Sequence, residues 1–207
     1  MTERYQRIET LLAEFGDVHQ RIRRDRPADF NVLRLFHVHR DEVSHTRILR
    51  LLLDQRSAHA EGPVLLGAFM EASGIPPLLN PMRDYEVWEE YRKQEATVDI
   101  AVWQPQGFII YIENKLFSPE GPEQIDRELR DMARLGDDSG VPTERQFAVF
   151  LTPYGKAVNG DPSRCRSVSS LRLASRFCER LPVVREHDPK LSFLLEDWIA
   201  TIRRLGV

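Results

Sequence analysis

The hydrophobic positions of this 207-residue chain alternate between helical and strand periods. From Glu3 to about Arg24, Ile8, Leu11, Leu12, Phe15, Val18 and Ile22 recur at helical spacing. The charged stretch "RIRRDRPADF" follows as a linker, with Pro27 ending the helix. Helical patterning returns in "FNVLRLF" and "EVSHTRILRLLLD" and breaks near "QRSAHAEGP". Pro63 to Ser73 predicts a third helix, stopped by Gly74 and the prolines after it.

From Tyr85 the period falls to two. "YEVWEEY" alternates, while "TVDIAVW" and "FIIYIEN" are β-branched and aromatic and are separated by the turn signal "QPQG". Three consecutive antiparallel strands are predicted. "GPEQIDRELRDMARLG" opens on Gly-Pro and closes on Gly136, which are helix start and stop signals. "RQFAVFLTPYG" is apolar through most of its length and predicts an internal strand. Two helices complete the pattern, from about Ser169 to Arg180 and from Pro189 to Leu205. The last carries Leu191, Leu194, Leu195, Trp198, Ile202 and Leu205 on one face. No repeat or long linker divides the chain, so one domain over residues 1–207 is expected. Its architecture is an α+β (α/β) mixed sheet of about four strands flanked by helices.

Composition narrows the class. A hydrophobic fraction of 42% and a charged fraction of 29% suit an ordinary globular protein. No apolar run approaches the roughly 18–20 residues that span a bilayer, so no membrane role is expected. "MTERYQRIET" lacks the basic and apolar regions of a secretory signal. Cys165 and Cys178 show no metal-ligand or redox spacing, and a cytoplasmic setting is the simplest expectation. The net charge of -3 excludes coating nucleic acid by bulk charge but leaves a local basic groove open. Arg21, Arg23, Arg24 and Arg26 form one basic cluster, and Arg172, Arg176 and Arg180 a stripe at helical spacing. Asp25 and Glu179 lie among them, so acid-paired arginines are the plainer reading and no groove is assigned. Only four of the 29 basic residues are lysine, at 93, 115, 156 and 190. Codon use in a GC-rich genome accounts for most of that bias, yet Lys115 sits beside a glutamate.

That glutamate opens the chemistry. "FIIYIENK" is an apolar strand ending in Glu113-Asn114-Lys115, with the two charges on one face about 6–7 Å apart. Asp99 begins the preceding strand, so a tight hairpin brings it next to Glu113. Two hard carboxylates and a backbone carbonyl suit Mg²⁺ or Mn²⁺. A neighbouring lysine can orient water and offset charge on a phosphate. An isolated E-x-K is common where a strand meets water; Asp99 across the hairpin is what changes the odds. Glu42 and His45 share a helix face. Alone they fit a capping or surface pair, with His45 equally a core histidine. E-V-S-H is not the H-E-x-x-H of a zinc site. His59, in the loop "SAHAEG", is a surface histidine or a phosphate or substrate contact. Phosphate-loop, dinucleotide and nucleophile-elbow motifs are missing from the sequence.

An acid on the second strand, E-x-K on the third and a helix after it resemble the PD-(D/E)XK nuclease superfamily, with its restriction-endonuclease-like fold. Here Val98-Asp99 stands for the family's "PD" and Glu113-Asn114-Lys115 for the second half. "FNVLRLFHVHRDEVSHTRILRLLLD", "HAEG", "TVDIAVW", "FIIYIENKL", "EQI" and "FLTPYG" are together similar to a bacterial branch with an N-terminal E-x-x-H helix. The match covers about residues 30–155 and leaves an N-terminal helix and a helical extension, about 165–207, without a motif.

The resemblance implies a metal-dependent nuclease. Asp99, Glu113 and the Asn114 carbonyl would hold Mg²⁺ (or Mn²⁺), and Lys115 would position the attacking water. Glu42 would be a further ligand or a partner for the lysine. Gln124 would add a polar contact, with Glu123 as an alternative acid, and His45 and His59 would face substrate. It implies nucleic acid as partner, DNA ahead of RNA, in bacterial defence, restriction or repair, with a homodimer or partner defence proteins as assemblies. The alternative is a binding or assembly module on the same fold. Degenerate members usually lose an acid or the lysine, and all three are present here.

Overall fold

The computed structural model describes residues 30–77, 84–92, 97–117, 124–156 and 164–205. The helix expected over Glu3–Arg24, its basic linker and Glu123 lie outside the described residues. The described elements are α1 (Val32–Leu35), α2 (Glu42–Leu53), α3 (Gly62–Ser73), β1 (Glu86–Arg92), β2 (Thr97–Gln104) and β3 (Phe108–Asn114). After them come α4 (Gln124–Ser139), β4 (Gln146–Thr152), β5 (Cys165–Ser169), α5 (Ser170–His187) and α6 (Pro189–Leu205).

The five strands form one mixed sheet in the order β1-β2-β3-β4-β5. The first three are antiparallel, as the hairpin signals predict, whereas β3, β4 and β5 run parallel. The architecture is α+β, consistent with a restriction-endonuclease-like fold, with five strands where about four were expected. The additional strand is short and polar, "CRSVS", and buries only Cys165 and Val168. Such a segment has no periodicity to announce it; backbone pairing with β4 makes it a strand.

Alternation sends successive side chains of β2 and β3 to opposite faces. Ile100, Val102, Ile110 and Ile112 pack beneath Leu52, Phe69, Phe177 and Trp198 from α2, α3, α5 and α6. On the other face Ala101, Ile109 and Tyr111 meet Ile125, Met132 and Leu135 of α4. All seven residues of β3 are therefore buried, including the polar pair at its end. Strand β3 is a fixed central support, and its C-terminal residues inherit that rigidity.

Three helix ends test the stop signals. Gly74 caps α3 with φ 63°, the left-handed conformation that glycine adopts at least cost. Gly136 does not stop α4, which continues to Ser139, with Gly140 (φ 67°) following. The reason is packing: a Cβ at Gly136 would stand 2.0 Å from the Gln146 amide nitrogen. Glycine is required there for close approach, a need that looks identical to a cap in sequence. Likewise α5 runs beyond Arg180, through Pro182, to His187. Buried Val184 keeps that last stretch packed, so tertiary contact overrides a helix breaker.

Trp198 is 1% exposed and stacks near Phe177, with ring centroids 5.7 Å apart, and near His45 at 6.4 Å. Trp198→Ala is expected to destabilise the fold by about 3–5 kcal/mol, read as a lower midpoint in urea.

Candidate active site

The β2–β3 register sets the site. Ile100 pairs with Ile112, so one step further Asp99 stands opposite Glu113, on the face covered by α4. The ladder is bent to chemistry there: the Asn114 N–H donates to Asp99 Oδ2 at 2.8 Å. On the opposite face the Asn114 side chain donates to Thr46 Oγ1 of α2 at 3.1 Å, pinning the strand end from behind.

Glu113 is only 3% exposed. Its Oε1 accepts from Lys115 Nζ at 2.6 Å and from Gln124 Nε2 at 2.6 Å. Its Oε2 is buried and finds no hydrogen-bond donor among the described residues. A desolvated carboxylate oxygen without a partner is costly, and a divalent cation is a ligand that would satisfy it. Lys115 continues the β3–β4 ladder through its N–H to Leu151 O at 2.8 Å, which fixes where its side chain starts. Burial opposes its charge, but the Glu113 hydrogen bond and the charges of Glu113, Asp99 and Glu42 hold its pKa above the ordinary value.

Asp99 is pushed up to about 6, first by burial and then by the charge of Glu113. Burial and the neighbouring Glu113 charge both disfavour ionised Asp99, and a cation between the two carboxylates would relieve that cost. Among the described residues no three His, Cys, Asp or Glu side chains converge to hold an ion by themselves. That is compatible with Mg²⁺, which is commonly bound through one or two carboxylates and keeps several waters.

Glu42 reaches the same strand end from α2. Its Oε2 accepts from the N–H groups of Leu116 and Phe117 at 2.9 and 3.2 Å. The carboxylate thereby fixes the turn that presents Lys115. The Asp41 side chain caps α2, which holds Glu42 in the first helical turn.

Both histidines are engaged elsewhere. His45 is 1% exposed, with Nε2 on the His39 carbonyl at 3.1 Å and its ring beside Trp198; burial lowers its pKa. His59 accepts the Glu61 N–H at Nδ1 (2.9 Å) and donates from Nε2 to Leu51 O (2.7 Å). That ring staples the α2–α3 loop. In the C-terminal stripe, Arg176 pairs with Glu179 and Arg180 with Glu71.

One residue was missed from sequence. Glu128 is 1% exposed and accepts from Gln124 Nε2 at 2.8 Å, so one amide bridges two acids. Burial, then the charge of Glu113, pushes Glu128 up to about 8. The available signal was its place four residues after Gln124, one helical turn along the same face.

The cavity bordering Lys115 is about 300 Å³ and is lined also by Leu116, Phe117, Thr152, Pro153, Tyr154 and Lys156. It is a recess of mixed cationic and aromatic character at the C-terminal ends of β3 and β4. Among the described residues no helix is long and apolar enough to cross a membrane.

The model of the PD-(D/E)XK nuclease superfamily matches residues 30–181, which takes in every element from α1 to β5 and much of α5. No curated protein and no solved structure matches the chain. Nucleases of this superfamily generally use divalent metals and act on nucleic acid. With a match over most of its length, the chain belongs to the PD-(D/E)XK nuclease superfamily.

Proposed function

We propose that the protein is a divalent-metal-dependent nuclease that hydrolyses phosphodiester bonds, DNA before RNA, in a bacterial defence setting. The observation that carries this reading is the Glu113 carboxylate. One oxygen is held by Lys115 and Gln124, and the other is buried with no hydrogen-bond partner among the described residues. Asp99, Glu113 and the Asn114 carbonyl would hold Mg²⁺ or Mn²⁺. When bound, such an ion lowers the pKa of a coordinated water and offsets charge on the phosphate.

The protein groups divide the remaining work. Lys115, fixed by Glu113 on one side and by the Glu42-anchored turn on the other, orients the attacking water and stabilises charge on the phosphoryl oxygens. Gln124 holds the Glu113 carboxylate in one rotamer. Glu128, largely protonated at neutral pH, gives Gln124 a second anchor without adding a full charge. Phe117 and Tyr154, 60% and 67% exposed, offer apolar surface to bases beside Lys115.

The test is incubation of single- and double-stranded DNA and RNA with Mg²⁺, Mn²⁺ or EDTA. Cleavage that requires the ion supports the proposal. Cleavage undiminished in EDTA removes the metal from the mechanism, and cleavage of no substrate returns the chain to a binding role.

A pH dependence follows from the carboxylates. Asp99 must lose its proton to ligate, so at limiting metal the rate is expected to fall as pH drops through about 6. Higher metal concentration shifts that midpoint downward. For stability the sign is opposite. Folded Asp99 and Glu128 bind protons more tightly than when unfolded, so stability from them is lost as pH rises through about 6 and about 8. Melting of the metal-free protein between pH 5 and 9, with Glu128→Gln as control, measures it: the variant flattens the upper part of the decline.

A further inference from the structure

A second cluster of charge lies outside the carboxylate site. Arg34 of α1, His39 and Arg40 before α2, and Thr201, Arg204 and Leu205 of α6 line a cavity of about 240 Å³. These residues come from segments more than 160 positions apart, so only the fold assembles them. Three guanidinium groups and an imidazole line one space, and no carboxylate lines it among the described residues.

The usual fate of arginine in this protein is different. Arg47, Arg50, Arg56, Arg176, Arg180 and Arg185 each pair with an acid. Arg34 and Arg40 are exposed and have no acid partner among the described residues. His39 lines the same space. Its Nδ1 is buried and has no hydrogen-bond partner among the described residues. Arg34 and Arg40 bring like charges together with no acid partner among the described residues, which is unfavourable, and an anion relieves it. Arginine forks match phosphate oxygens bidentately.

Position selects among phosphate sources. Arg40 precedes Glu42 by two residues, which keeps their Cα atoms within about 7 Å. Glu42 in turn holds the turn carrying Lys115. The pocket therefore lies at the N-terminal end of α2, the end that anchors the turn after Lys115. We propose that it binds a backbone phosphate of the nucleic acid at a position away from the bond that is cut. This rests on the nuclease reading and extends it: the pocket sets the path of the strand into the site.

The experiment measures binding of labelled single- and double-stranded oligonucleotides to the full chain in Mg²⁺, across a range of salt. The background is Lys115→Ala, with and without Arg34→Ala/Arg40→Ala. The expected result is affinity weaker by about tenfold or more, and a salt slope shallower by one to two. Arg34→Lys/Arg40→Lys retains most of the affinity, and melting curves confirm that every variant folds. In cleavage by the otherwise native chain, the alanine pair raises KM more than it lowers kcat. Unchanged affinity and slope would overturn the pocket while leaving the nuclease reading standing. If inorganic phosphate stabilises the native chain and not the alanine pair, yet oligonucleotide binding is equal, the pocket serves free phosphate and the backbone assignment falls. A native chain that neither cleaves nor binds any oligonucleotide sinks both readings together.

Discussion

Lys115→Ala is expected to lower metal-dependent cleavage by about 10²–10³-fold, the loss found when one preorganised donor to a developing oxyanion is removed. The side chain is 20% exposed, and its Nζ sits 2.6 Å from Glu113 Oε1, so its charge is aimed rather than free to wander. Low local dielectric makes that charge worth more than a solvated one. Lys115→Arg is not expected to rescue activity, because a planar fork cannot occupy the space of a compact ammonium. Initial rates with Mg²⁺ on the preferred substrate provide the measurement. Equal rates for wild type and alanine would remove Lys115 from the mechanism.

Glu113→Gln probes the other half of the site. The substitution keeps shape and one acceptor oxygen but removes the negative charge. Cleavage is expected to fall about 10³-fold, since loss of the ion forfeits several kcal/mol of transition-state stabilisation. A second readout is independent of activity. At a metal concentration of 100 Kd the wild type gains about 2.7 kcal/mol, seen as a rise in Tm, and the variant gains far less. Asp99 reports as well: without the neighbouring charge its carboxyl titrates closer to the ordinary range, although burial still raises it. A Glu113→Gln protein with a full metal-induced Tm shift would show that the ion is held elsewhere.

Some of this site was legible before any coordinates. Asp99, Glu113 and Lys115 declare themselves because strand period and a short turn fix register, and register fixes which side chains meet. Gln124 was legible through the family resemblance. Glu128 was not, since an acid in an amphipathic helix is ordinarily solvated and nothing local marks one that is 1% exposed. The placement of the histidines was hidden for a related reason. Spacing puts Glu42 and His45 on the same helical side, but three residues of rotation and rise separate what they touch. Glu42 turns to the strand end, and His45 enters the core beside Trp198. Gly136 shows the same ambiguity in the backbone, where a helix stop and a close contact share one residue type.

Period and turn chemistry in the sequence determined the central hairpin, the buried fourth strand, the last helix and the meeting of Asp99 with the E-x-K end of β3. These are consequences of local geometry, repeated over a few residues. The tertiary structure decided what depends on distant partners. It paired β5, carried α5 past Pro182, buried Glu128 against Gln124 and left Glu113 Oε2 without a donor among the described residues. It also gathered Arg34, His39, Arg40 and Arg204 around one cavity. Burial and charge environment are sums over the whole packed chain, and no window of neighbouring residues contains them.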